Sequence, residues 1–156
     1  MLIVISIIAL IVVACGNNNS SEKKESSSAT GQTEAAGANP SYDPNRGEGK
    51  FTNVEISPTL DAAKADAGSK IASVKCSSCH KYTEEKLVGP GWKGVTQRHT
   101  APWIMNFITN PDLMIDKDPK AQAMLEICLV RMPNQNLTDE EARNLYEFMR
   151  KNDGIK

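Results

Sequence analysis

Residues 76–80 read Cys-Ser-Ser-Cys-His. Two thiols three positions apart with an imidazole directly after the second can do three kinds of chemistry. They can be half of a zinc site, a redox dithiol, or an anchor that captures a haem through both sulfurs. A structural zinc site takes four ligands, usually two Cys pairs or a Cys pair with a spaced His pair. Beyond this stretch the only thiols are Cys15 and Cys128 and the only imidazole is His99, and no second pair has ligand spacing. A thioredoxin-like dithiol belongs at the end of a strand in a βαβ unit, whereas the residues before Cys76 carry helical periodicity. A plain disulfide uses the thiols and leaves the histidine unexplained. The haem reading uses all three residues. Each sulfur forms a thioether with a vinyl group, and the next side chain is then carried beneath the iron, which makes His80 the proximal ligand.

A haem fixed on one side leaves the opposite iron position to be filled. Met105, Met124 and Met149 fall on predicted helices, where methionine is more often core filler. Met132 lies in the turn "RMPNQN", stiffened by Pro133, and is the expected sixth ligand, since a thioether opposite His is the usual arrangement in electron-carrying haem. Met114, in "NPDLMID", is the second choice as another loop methionine, and His99 is read as a surface residue or a less favoured imidazole ligand. A ligating histidine usually donates its other ring N–H to an outer acceptor. Pro90, in "VGPGW", lacks an N–H but keeps its carbonyl, and is the expected acceptor.

The elements that must position these residues are helical. A first helix is predicted from Ser57 to about Lys75, with Ser57 as cap, Pro58 in the first turn, and Leu60, Ala63, Ala67, Ile71 and Val74 at three- and four-residue steps. Gly68 inside that pattern costs helix stability and points to close approach of another helix. "VGPGWKG" marks a turn-rich loop. A short helix should start at Pro102 and end before Pro111, and a third should open at Asp118-Pro119. In "LTDEEARNLYEFMRKNDG", Thr138 caps, Glu141 completes a capping box and Leu137 can staple onto Ala142. No segment alternates with period two, so the fold should be all-α.

Composition divides the 156-residue chain. Residues 1–15, "MLIVISIIALIVVAC", are almost wholly apolar and resemble a bacterial lipoprotein signal, with Cys15 as the lipid-modified first residue of the mature protein. Residues 16–50 are Asn, Ser, Glu, Lys, Gly and Ala with few large apolar side chains, the composition of a disordered polar tether. Residues 51–156 form the one region able to fold. Aromatics are only 5% of the chain, so a buried porphyrin would supply apolar mass that this region lacks. The net charge is -1 and no basic stripe is present, which argues against nucleic acid as a partner.

"CSSCH", then "VGP", then "MP", then "LTDEEARNLYEFM" resembles, in that order, a class I monohaem cytochrome c, over about residues 57–152. The resemblance implies a small fold of four to five helices wrapped around one covalent haem c. It implies Gly68 packed against an aromatic of the last helix near Tyr146 and Phe148, and Arg98 and Trp103 as hydrogen-bond partners of a haem propionate. It also implies one-electron transfer rather than catalysis. The donor would be a quinol-oxidising complex, and the acceptor a terminal oxidase or a denitrification enzyme such as nitrous-oxide reductase. The location would be the periplasm or cell surface, at a membrane. Cys128 departs from the common pattern and is read as a small buried hydrophobe. The competing reading is a haem enzyme or gas sensor with an open iron position. A lipoprotein without haem would leave "CSSCH" unexplained.

Overall fold

The structure is a computed structural model, which describes residues 42–156; Cys15 and the apolar start lie outside them. Among the described residues there are six helices and no strand. The helices are α1 (Ala62–Lys75), α2 (Val95–Arg98), α3 (Ala101–Thr109), α4 (Pro111–Lys117), α5 (Pro119–Cys128) and α6 (Asp139–Asn152). None is long and apolar enough to cross a membrane.

The frame is the crossing of α1 and α6. The face α1 buries is made of small residues, Ala65, Gly68 and Ala72, so the two backbones come close. A Cβ on Gly68 would lie 2.0 Å from the Asn144 carbonyl oxygen. The nearest neighbour of Gly68 is therefore the α6 backbone at Asn144 and Leu145, directly before Tyr146. From α6, Ala142, Leu145, Tyr146 and Met149 enter the core. Its N-terminus carries the expected capping box: Thr138 Oγ1 accepts from Glu141 N (3.1 Å) and Glu141 Oε2 from Thr138 N (2.9 Å).

The start of α1 differs from the sequence expectation. Asp61 is the cap, its carboxylate accepting from Lys64 N at 3.0 Å. Ser57 lies in an irregular lead-in whose carbonyls are claimed by α6. Arg150 donates to Ser57 O at 2.7 Å and Arg143 to Glu55 O at 2.7 Å. Buried Glu147 holds both arginines, Arg150 at 2.8 Å and Arg143 at 3.0 Å. A charge this deep needs such partners, and each arginine also gives a hydrogen bond to a lead-in carbonyl, while Arg143 Nε is left without one.

Between α1 and α6 the chain folds as a series of short, individually capped helices. Thr100, Asn110 and Asp118 cap α3, α4 and α5 through Trp103 N, Leu113 N and Ala121 N. In the last two the cap is followed at once by proline, whose missing N–H costs nothing in a first turn. Pro111 thus ends α3 and opens α4, a helix where the sequence alone suggests a loop. Met114 stands on α4, fully buried, its sulfur accepting from Glu48 N at 3.1 Å. It is core, not a loop ligand.

Residues 42–51, mostly assigned by composition to the tether, pack as a strap on α3 and α5. Buried Asn106 donates to Arg46 O (3.0 Å) and Phe51 O (2.9 Å) and accepts from Phe51 N (2.9 Å). The Tyr42 hydroxyl donates to Asp118, Thr100 Oγ1 donates to Asn45 O, and Lys120 donates to Pro44 O. The folded unit therefore begins at least nine residues before the boundary set from composition.

Candidate haem site

Helix α1 ends where the motif begins. Cys76 is its C-cap, and Cys79 N and His80 N both donate to Cys76 O, at 3.0 and 2.9 Å. One tight turn therefore sets Cys76, Cys79 and His80 at the end of a helix that α6 holds rigid. Both thiols are free, Cys76 buried and Cys79 half-buried. Burial pushes the Cys76 thiol up to about 11, so it is protonated near neutral pH.

His80 Nδ1 lies 2.9 Å from the Pro90 carbonyl oxygen. With Nδ1–H donating there, Nε2 carries the lone pair, as a metal ligand requires. Burial holds the imidazole below its usual range while the Pro90 carbonyl pulls it back up; both forces act on a ring that is neutral near pH 7. The loop that carries Pro90 is pinned to the motif, because Val88 N and Gly89 N donate to Cys79 O at 3.2 and 2.8 Å. A Cβ on Gly89 would lie 2.3 Å from His80 Cε1. Only glycine leaves room for the imidazole.

Behind His80 stands an aromatic cluster. Trp92 lies 5.6 Å from the His80 ring and 5.5 Å from Tyr82, and Phe148 of α6 meets Tyr82 edge-on at 5.1 Å. Here Phe148 packs against the loop. The C-terminal residues clamp the same loop. Asp153 accepts from Gly94 N, Thr96 N and Thr96 Oγ1 at 2.6, 2.9 and 2.6 Å, while Lys93 donates to Asn152 O and Asn152 to Tyr82 O. That clamp forms α2, four residues whose signal is too short to read in sequence.

In front of His80 lie two small, mainly apolar cavities of about 80 and 100 Å³, each open on one side. His80, Pro90, Phe107, Met124 and Met132 line both. A third cavity shares Pro90 and Cys128 with the first and Pro90, Gly91 and Arg98 with the second, and adds Glu84, Lys86 and Lys93. Together they form a slot with apolar walls and one charged, mainly basic edge. Met132 reaches it from the turn after α5, and Met124, whose helical position suggests core filler, reaches it from α5 itself.

Arg98 stands at the rim and braces the loop, donating to Lys93 O (2.6 Å) and Gly91 O (3.1 Å). Trp103 is buried and its indole N–H is given to Asp118 Oδ2 at 2.8 Å. Its ring lines the slot, but its one donor is spent, which corrects its expected role as a propionate partner. His99 is not a surface residue: it is half-buried and stacked on Trp103 at 4.0 Å. Cys128 is half-buried and lines the slot.

The residues present fit a covalent haem: two free thiols and a neutral imidazole at one wall, a glycine cradle, apolar surfaces, and a buried ring nitrogen on His99 with no partner. The cytochrome c family pattern matches residues 65–153. This chain belongs to the cytochrome c family. Among solved structures, a cytochrome c from Rhodothermus marinus is 30% identical with a TM-score of 0.65, covering 67% of this chain and 90% of that one. An engineered form of that protein gives 28% and 0.65, over the same shares of the two chains. A further engineered form, bound to a carbene intermediate, gives 28% and 0.62 over those shares. No curated protein matches the chain significantly. As a cytochrome c it is a haem-binding electron carrier with a covalently attached, iron-containing c-type haem.

Proposed function

We propose that this cytochrome c carries single electrons on an iron held by His80 and Met132, with Cys76 and Cys79 forming the two thioethers. The supporting observation is that His80 and Met132 line the same two cavities, with the His80 ring set by the Pro90 carbonyl. The haem supplies the gain and loss of one electron. The chain supplies the rest. Pro90 fixes which histidine nitrogen faces the slot, Met132 would be the second protein ligand and would keep exogenous ligands from the iron, and Phe107, Met124 and Ile115 keep water from the walls. Thioether ligation raises the potential, which suits delivery onward to a terminal oxidase or to a denitrification reductase such as nitrous-oxide reductase. A quinol-oxidising complex is the fitting donor. Cys15 carries a lipid on this reading, and the polar segment after it lets the domain range between partners at a periplasmic membrane or the cell surface while staying locally concentrated.

The test is the weak far-red sulfur-to-iron band of the oxidised, haem-loaded protein. It should be present in the wild type, lost in Met132→Ala and kept in Met124→Leu. A band that survives the first substitution and vanishes with the second makes Met124 the ligand. A wild type without the band has an iron open to ligands, and the weight moves to a haem enzyme or gas sensor.

A further inference from the structure

His99 Nδ1 is buried and has no hydrogen-bond partner among the described residues, an arrangement that native interiors avoid. The ring is fixed by its stack on Trp103 (4.0 Å, 13°), which is itself stacked on Phe107 (5.3 Å, 7°). All three rings line the cavity that His80 and Met132 line. The charged groups facing His99 are Arg98 of α2, and Lys120 and Asp118 at the start of α5. The one carboxylate among them is already occupied, since Asp118 accepts from Tyr42 Oη, Trp103 Nε1 and Ala121 N. This end of the slot thus holds a buried imidazole nitrogen without a partner, and two cations whose acceptors are backbone carbonyls rather than a carboxylate.

A haem carries its two carboxylates on one edge. We infer that His99 receives a haem propionate, with Nδ1–H donating to the carboxylate. Trp103 cannot take that role, and instead fixes the plane of the ring that does. Burial, then Lys120 and Arg98, push the His99 imidazole down to about 4 against the pull of Asp118. An anionic carboxylate at Nδ1 pulls the other way, and brings the proton equilibrium into a range where the electron can feel it. Reduction removes one positive charge from the haem, so His99 holds its proton more tightly in the reduced protein. The potential therefore falls as pH rises through the oxidised-form pKa and levels off above the reduced-form one. Each tenfold difference in proton affinity moves it by about 59 mV for one electron.

The experiment is a spectroelectrochemical titration of the haem-loaded full-length protein from about pH 4 upward, beside His99→Gln and His99→Leu. Glutamine keeps a donor and removes the titrating group, so it tests the inference even where leucine fails to fold. The wild-type potential should fall with pH by the equivalent of at least a tenfold affinity difference, and that wave should disappear in His99→Gln with the haem retained. In the diamagnetic reduced protein the His99 Nδ1 proton should show a nuclear Overhauser contact to a propionate methylene. A wave unchanged by His99→Gln, a flat wild-type curve, or no such contact overturns the inference. It rests on the covalent haem alone, so the choice of Met132 or Met124 as ligand can fail without touching it.

Discussion

At the scale of single residues the site is a matter of which atoms are already taken. His80 has one nitrogen fixed by Pro90, Trp103 has its only donor fixed by Asp118, and His99 keeps an orphan nitrogen. What remains unspent is what faces the slot. Gly89 shows how little slack there is, since its missing side chain is the space that the imidazole fills. Gly89→Ala forces the ring or the loop to move, and overpacking of this kind costs about 1–3 kcal/mol. We expect that loss in denaturant unfolding of the haem-loaded variant, together with a shifted Soret band as His80 turns away from Pro90. An unchanged spectrum and midpoint would show that the loop yields freely.

At the scale of elements, Asp118 joins three parts of the chain. It caps α5, takes the Trp103 indole of α3, and takes the Tyr42 phenol of the strap. Burial and the Asp118 carboxylate together hold that phenol well above its ordinary range. Asp118→Ala should cost about 2–4 kcal/mol, from a lost cap of about 1 kcal/mol and buried donors left unpaired at about 1–3 kcal/mol each, not fully additive. Urea titration of the loaded protein measures it; a loss below that of the cap alone would mean that Trp103 and Tyr42 find other acceptors. Much at this scale was legible. Proline after Asp118, the Thr138–Glu141 box and the periodicity of α1 are local signals, and the helices that they announce are present. The motif was legible for the same reason, being five consecutive residues, with Pro90 only a short loop away. What could not be read depends on distant partners. The strap is held by Asn106 and Asp118, so its own Asn, Gly and Glu look like linker. Position α2 owes its form to Asp153, far along the chain. The orphan state of His99 exists only once Trp103 has turned to Asp118.

At the scale of the whole molecule, the described domain is held by α1 against α6, with the slot off to one side and the strap leading back toward the N-terminus. The anchor proposed for Cys15 lies outside the described residues, which begin with the strap on α3 and α5. Cys15→Ser should move the haem-loaded protein from the membrane fraction to the soluble fraction, with its spectrum unaltered, as checked by fractionation and by the mass of the N-terminal peptide. Retention of the variant in the membrane would mean that the apolar segment of residues 1–15 does the anchoring without a lipid.

The clamp of Asn152 and Asp153 on the loop behind His80 has a consequence for how the molecule is made. Synthesis runs from the N-terminus, and domains organise as their parts emerge. The residues that receive the haem are therefore born long before the residues that hold their loop shut. While α6 is undocked, the Gly94–Thr96 turn lacks its acceptor and α1 lacks its partner, which leaves Cys76, Cys79 and His80 open to haem attachment; docking of α6 then shuts the loop behind His80.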